Sequence, residues 1–541
     1  MTARDTLTAR LRSRRFDVLI IGGGIVGAGA ARDAAMRGLS VALIEQGDFA
    51  GGTSSKTSKL IHGGLRYLEH GRVRLVFESL RERSILRTTA PSLVHPLTIM
   101  LPLYEQDTRR PWTVHLGLWL YDILSAGRAI RPHQMLSARR TLALEPGLRV
   151  DALRAAGMYA DCQMDDARLC LANILQATGW GAVCANYVRL RTILKADGRV
   201  CGATAEDVVG GKVFEIQARA VINAAGPWSD GVRRLSDSAA VARLAPTKGI
   251  HLIVPRVAHE ALFIEARRDR RMLFILPWED YSLVGTTESA VHSPLDALRA
   301  EPNEVDYLLE EVNRVLPGSH LDASGIVATF AGARPLLSST QSANQASREH
   351  RIETDRYGLI SALGGKYTTY RVMARQAVDE ALRQLGGAAE RCLTDQVGLL
   401  ETVHPVSLDQ WRSLTRRVDP DLLARCIARY GAKTLHVLQV IDSEPGLAQP
   451  ICPHHEYSQA ELVHAVRGEL AVTLIDVLAR RTRIAWSSCQ GLDALSTVTD
   501  LLRRYAGMSR EDLERQTEQY RRYLADGLAF RKTRPAEALT R

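Results

Sequence analysis

No stretch of this sequence approaches the ~20 consecutive apolar residues that a membrane-crossing helix requires. The nearest, residues 114–126, falls well short, so an integral membrane protein is not expected. A secretory leader is not expected either, because the segment ahead of Phe16 is polar, carries Arg4, Arg10, Arg12, Arg14 and Arg15, and has no apolar run behind it. Cysteine is sparse, at eight residues with no C-x-x-C pair, which excludes a disulfide scaffold and suits a reduced intracellular compartment. Cys452, His454 and His455 fall together, but three potential ligands in one loop without a second cluster are a weak metal signal, and no metal is expected. Aromatic residues make up 6% and are not interleaved with basic runs as in a nucleic-acid module, so no nucleic-acid partner is expected. No internal repeat is visible.

At 541 residues the chain exceeds the roughly 250–300 at which one core stops growing, so two or three domains are expected. Its 46% apolar and 24% charged residues are those of a folded globular protein. The formal charge of +10 suits a polyanion, an anionic membrane surface or an acidic metabolite, and equally a solvated basic surface.

Residues 16–21 read as a buried strand, broken by Gly22 to Gly24 before an Ala-rich helix over 25–37 and a second strand over 41–44. This β-turn-α-β unit opens a parallel, doubly wound α/β sheet. A Gly/Ser/Thr/Lys-rich loop over 51–59 leads to a helical stretch containing Leu65, Leu68, Leu75 and Val76. Residues 91–132 read as less regular. A helix is expected from Asp165 to about Ala177, and strands over 183–190 and 221–225. Between 244 and 330 short β-type runs suggest an inserted antiparallel domain. Parallel character returns at 359–363, followed by a helix over 368–385. Helical periodicity dominates beyond residue 400. The expected organisation is a basic N-terminal extension (1–15), an oxidoreductase unit (16–400) with substrate-domain segments mainly at 91–150 and 244–330, and a helical C-terminal domain (401–541).

Gly22, Gly24 and Gly27 form G-x-G-x-x-G between strand and helix, permitting a tight turn, close backbone approach to a pyrophosphate and close helix–sheet packing. The helix N-terminus offers free N–H groups and a positive dipole end. Glu45 closes the second strand 18 residues after Gly27, where it can accept bonds from ribose hydroxyls. NAD and FAD share this unit. The hydroxyl-rich loop 53–59, standing where an NAD enzyme would continue its strand–helix series, points to the longer cofactor.

The run Thr53-Ser54-Ser55 with residues 58–69, Ser-Lys-Leu-Ile-His-Gly-Gly-Leu-Arg-Tyr-Leu-Glu, resembles the flavin-loop signature of FAD-dependent, aerobic respiratory glycerol-3-phosphate dehydrogenases. Further matches are Asp165-Asp166-Ala167-Arg168-Leu169, residues 223–228, Gly332-Ala333-Arg334-Pro335-Leu336, residues 364–371, and Arg480-Arg481-Thr482-Arg483, so the resemblance runs in order from about residue 16 to 525. It implies a Rossmann-like FAD domain of the glutathione-reductase/D-amino-acid-oxidase type, with an inserted α+β substrate domain and an all-α C-terminal domain. It further implies oxidation of sn-glycerol 3-phosphate to dihydroxyacetone phosphate, electrons passing to a membrane quinone. A cytoplasmic protein held peripherally on the inner membrane is then expected, with a homodimer among the open oligomeric states. FAD contacts are assigned to Glu45, Gln46, Thr53, Ser54, Ser58, Lys59, Leu60 and His62, to Val188, to Ala225 and Gly226, and to Gly364, Gly365, Lys366 and Thr368.

A phosphorylated substrate needs cations of fixed geometry, and the planar fork of arginine suits a dianion. Arg334 and Arg66 are the candidates for substrate contacts, Arg334 on phosphate, with Arg348 as a second phosphate candidate. Lys366, after two glycines at a strand-to-helix turn, is placed to orient the substrate oxygen or, if desolvated, to act as a base. His62, Tyr67 and His251 are candidate proton acceptors or orienting groups; Ile250 stands where the family commonly has a small polar residue, which weakens His251 as a direct contact. Membrane docking is expected around Trp112, Leu116, Leu118 and Trp119 and at the basic tail Arg521, Arg522, Arg531 and Lys532. Three rival readings stay open: a glycerophosphate oxidase using oxygen, an amine or amino-acid oxidase, and a non-catalytic flavin-bound sensor.

Overall fold

The computed structural model describes residues 3–338, 349–386, 390–399, 408–416 and 418–532. Strand Val41–Ile44 is wholly buried, and Phe16–Ile21 nearly so, as strands covered on both faces must be. They sit in an eight-stranded sheet whose main order is His350–Thr354, Leu359–Gly364, Lys212–Asn223, Phe16–Ile21, Val41–Ile44, Val183–Ala185. The last five are parallel neighbours and the first is antiparallel. Helices Ile25–Met36, Asp166–Gly179 and Tyr370–Leu385 pack together over this sheet. Strand Lys212–Asn223 does double service, because its first half pairs antiparallel with Arg199–Asp207 and its end joins the parallel core.

A second, ten-stranded sheet gathers the inserted segments: Thr247–Pro255, Tyr281–Gly285, Met272–Trp278, Ala261–Glu265, Val94–Tyr104 and Leu153–Met164 run in that order, and Ala328–Arg334 pairs with the first of them. All described pairs are antiparallel except Ala261–Glu265 with Val94–Tyr104. Beyond residue 408 the described chain is helical, with a core of its own around Cys426, Leu462, Leu478 and Val498.

Local signals misled in places. Residues 91–132 hold an 11-residue strand, Val94–Tyr104, and a 14-residue helix, Pro111–Leu124. Pro96 and Pro102 are separated by an even number of residues, so both missing N–H groups fall on one side of the strand and the ladder survives. The helical stretch near Leu65 divides at Gly71 into the 3-10 turn Leu65–His70 and the helix Val73–Thr89. The expected strand over 183–190 is two strands, Val183–Ala185 and Val188–Ala196, with Tyr187 at φ 53° between them. The N-terminal residues form a helix, Ala3–Arg12, whose Arg4 binds Asp207 and the carbonyls of Asn186 and Tyr187.

The two halves of the chain are locked at one carboxylate. Asp48, in the loop after the second strand, accepts a bidentate pair from Arg481 (2.7 and 2.9 Å) and a third bond from Arg480 (2.6 Å). Burial alone would raise its pKa, but Arg481 and Arg480 hold it well below the usual carboxylate range.

Candidate active site

The glycine turn opens a cleft of about 950 Å³. Gly22, at φ 110°, presses on Ala224, and a Cβ at Gly27 would lie 1.9 Å from the Gly22 carbonyl oxygen; only glycine lets the helix start this close to the strand. Gly22 and Gly24 line the cleft while Gly27 packs beneath. Glu45, half-buried at the cleft wall, accepts from Gly23 N (2.7 Å) and Gly47 N (2.9 Å). Each of its oxygens retains acceptor capacity for a ribose hydroxyl. Ser54 Oγ takes the first helical N–H, at Ile25 (2.9 Å), and Thr53 Oγ1 donates to Ala333 O (2.7 Å), tying the hydroxyl-rich loop to the second sheet.

Gln46, Thr53, Ser54, Ser58, Leu60, His62, Val188, Ala225, Gly226, Gly364, Gly365, Lys366 and Thr368 all line this cleft. Lys59 does not: its ammonium is paired with Asp166 and donates to Ser55 O, so its side chain braces the loop rather than facing the cofactor. Arg66 and Tyr67 are likewise outside the cleft wall, on the 3-10 turn Leu65–His70. Tyr67 lies under Lys366, whose Nζ is 4.0 Å from the ring centroid and donates to Ser79 Oγ (3.1 Å). Arg348 lies outside the described residues.

The opposite wall comes from the second sheet. Arg334 donates to Thr286 Oγ1 (2.9 Å), Thr287 O (3.0 Å) and Lys248 O (3.4 Å). These neutral acceptors fix the plane of its fork. The guanidinium lies against Gly249, where a Cβ would come within 2.3 Å. His251 stacks on Phe330, with ring centroids 4.9 Å apart, and its Nε2 meets Ser58 Oγ at 2.8 Å. Its Nδ1 is buried with no hydrogen-bond partner among the described residues. Burial, then the charges of Arg334 and Lys59, push its pKa well below the ordinary value, so the imidazole is neutral. His62 is pinned through its backbone, its N–H to Thr368 Oγ1 (3.2 Å), while its ring meets Phe274 edge-on. The next N–H, Gly63, meets Tyr121 Oη (2.9 Å) and Asp161 (3.2 Å); Asp161 is buried and also paired with Arg83 (2.6 Å).

Several lining residues escaped sequence reasoning. Lys56 lines the cleft half-buried, and desolvation lowers its pKa. Thr473, Arg480, Gln519 and Tyr523 reach the cleft from the C-terminal helices. The Arg480-Arg481 doublet, singled out only as a family match, was the available signal for this wall.

The cradle of glycines at a helix N-terminus, Glu45 at the cleft wall and the volume of the cleft fit a flavin dinucleotide, and together with the fold they define a flavin-dependent oxidoreductase. The model of the FAD dependent oxidoreductase family matches residues 17–371, and that of the C-terminal domain of alpha-glycerophosphate oxidase matches 365–513. Glycerol-3-phosphate dehydrogenase of Synechocystis is 35% identical over 95% of this chain and 97% of its own. The rat mitochondrial glycerol-3-phosphate dehydrogenase is 34% identical over 94% of this chain and 73% of its own. The solved glycerol-3-phosphate dehydrogenase of Bacillus halodurans, complexed with FAD, superposes with a TM-score of 0.76 at 27% identity and covers 97% of each chain. The chain belongs to the FAD-dependent glycerol-3-phosphate dehydrogenase family. Its cofactor is FAD.

Proposed function

We propose that this chain oxidises sn-glycerol 3-phosphate to dihydroxyacetone phosphate and passes the electrons to a membrane quinone. The observation that carries the substrate reading is Arg334, a cation on the cleft wall whose fork is held by Thr286 Oγ1, Thr287 O and Lys248 O, where its planar geometry suits a phosphate dianion. Lys366 orients the substrate oxygen from the other wall. His251, neutral and on the cleft wall, takes the hydroxyl proton. Bound FAD would supply the two-electron acceptor for the hydride lost from C2 of the substrate. The glycine turn, Glu45, Gln46, the loop 53–62, Ala225, Gly226 and residues 364–368 hold it.

Membrane association is supported by the helix Pro111–Leu124. Trp112, Leu116, Trp119 and Ile123 are 69, 57, 53 and 51% exposed and form a stripe along one helix face. Val73 and Phe77, exposed on the adjacent helix, extend it, and exposed Arg74, Arg110 and Arg128 flank it. Indole rings beside arginines suit the headgroup region of an anionic bilayer. Leu118 is not part of this face: it is fully buried. In the tail, Arg531 donates to the carbonyls of Ala323, Ser324 and Ile326 and is a structural clamp. Among the described residues no helix is long and apolar enough to cross a membrane.

Anaerobic mixing with glycerol 3-phosphate tests the substrate: rapid bleaching of the flavin is expected, and a flavin that stays oxidised overturns the reading. Aerobic turnover that yields stoichiometric peroxide with little quinone-analogue reduction would assign an oxidase instead. Flotation with anionic vesicles at low and high salt tests the membrane reading, and absence of binding at both sinks it.

A further inference from the structure

Away from the cleft, the structure gathers a cluster that the sequence shows only in part. Cys452 and His455 share one tight turn between the helices Thr434–Ser443 and Gln459–Gly468, and Cys489 arrives from the turn after Trp486. Ligand atoms of the three lie within 4.8 Å of one another, and His455 Nε2 is 3.5 Å from Cys489 Sγ. With Zn–S of about 2.3 Å and Zn–N of about 2.0 Å, a tetrahedral zinc centre spaces sulfur and nitrogen about 3.5 Å apart and two sulfurs about 3.8 Å apart. The observed separation is already that of a tetrahedral edge. His454, the third ligand suggested by the sequence, is not part of the cluster. It is exposed and faces Asp493 at 3.6 Å.

We propose that Cys452, His455 and Cys489 bind one structural Zn²⁺ in the C-terminal helical domain, with a water or the Asp493 carboxylate completing the tetrahedron. Two thiolates and an imidazole select a soft or borderline ion over magnesium or calcium. Cys452 is buried and the other two are half-buried, so the site is shielded yet reachable. Ser487 Oγ donates to Ile484 O (2.8 Å) and meets His455 Nε2 at 2.7 Å. Zinc takes the place of the Nε2 contact with Ser487, the neutral ring keeps its one proton on Nδ1, and binding releases protons from the two thiols.

The ion would staple the loop carrying Cys452 to the segment that fastens this domain to the rest. Within that segment Arg481 holds Asp48 and Arg483 holds Asp165. Ser488 N donates to Tyr281 Oη (2.9 Å), and Gln490 Nε2 to Val327 O (2.9 Å). The metal therefore acts on domain attachment, away from the oxidation chemistry.

The test uses the tag-free, full-length holoenzyme prepared under reductant, exposed to equimolar Zn²⁺ and dialysed, with metal measured by mass spectrometry and its neighbours by X-ray absorption. About one zinc per chain with two sulfur neighbours at about 2.3 Å is expected. Cys452→Ser and Cys489→Ser should each lose the ion while keeping flavin, and Cys201→Ser, at another half-buried thiol, should keep it. Should both serine variants fail to fold, His455→Gln gives the same readout. Chelation should lower the Tm of the parent and leave that of Cys489→Ser unmoved. A parent chain retaining less than about a tenth of an equivalent, zinc unchanged in the variants, or a Cys452–Cys489 disulfide recovered in place of the ion overturns the proposal.

Discussion

The substrate wall depends on a contact between one side chain and one missing side chain. Arg334 occupies the space that a methyl group on Gly249 would fill. Gly249→Ala should therefore displace the guanidinium and raise the KM for glycerol 3-phosphate while flavin content stays at one per chain. Arg334→Lys should cost about 10- to 100-fold in kcat/KM, since a point charge replaces a fork and the charged bonds at stake are each worth about 1.5–3 kcal/mol. Steady-state kinetics on both variants check this. Because His251 is buried beside Arg334 and Lys59 and its pKa is driven down, the acid limb of kcat/KM should fall well below pH 6.5, as a pH–rate profile would reveal. Arg334 was legible because its pentapeptide is a family mark. Lys56 was not, since nothing local indicates that Gly332 comes so close to its carbonyl that a Cβ there would sit at 2.8 Å and that the side chain will be drawn into the cleft wall.

Elements with strong periodicity were readable, and those shaped by distant partners were not. The strand–glycine–helix opening follows from its own residues. Strand Val94–Tyr104 exists because Leu153–Met164 pairs along its whole length, from Val94 with Met164 to Tyr104 with Leu153, a distant partner that overrides its prolines. The same strand pair carries Asp161, which joins Arg83, Tyr121 and the Gly63 N–H. Asp161→Ala would strand a buried guanidinium, so a loss of about 3–5 kcal/mol is expected in chemical denaturation, with weaker flavin retention because the His62–Gly63 segment loses its anchor. The exposed stripe on helix Pro111–Leu124 makes a separate prediction: Trp112→Ser combined with Trp119→Ser should abolish vesicle flotation and leave anaerobic flavin bleaching unchanged.

Across the whole molecule, stability should fall on the acid side in two stages. His251 is neutral in the folded state and titrates normally when unfolded, so protons favour unfolding below about pH 6.5, by up to about 1.4 kcal/mol per pH unit. Asp48 behaves as a depressed carboxylate. Its contribution is complete above the unfolded value of 3.8 and is lost as the pH drops through the folded one. Thermal melts from pH 8 to 3 should show a gentle decline from pH 6.5 and a collapse, with flavin release, below about pH 4. Insensitivity to pH between 7 and 5 would contradict the first stage. The fold class was written in the opening motif and the helical C-terminal periodicity. That the helical part reaches the cleft could not be read, because it depends on Arg480 and Arg481 meeting a carboxylate more than 400 residues earlier.

That long reach also orders events during synthesis. The glycine turn and the loop bearing Asp48 emerge among the first fifty residues, but the arginines that neutralise Asp48 are among the last seventy. A nascent chain thus carries an uncompensated carboxylate beneath its cofactor loop until translation is nearly finished. Stable flavin capture is accordingly expected only once those arginines have emerged, and a chain truncated before Arg480 should retain less flavin.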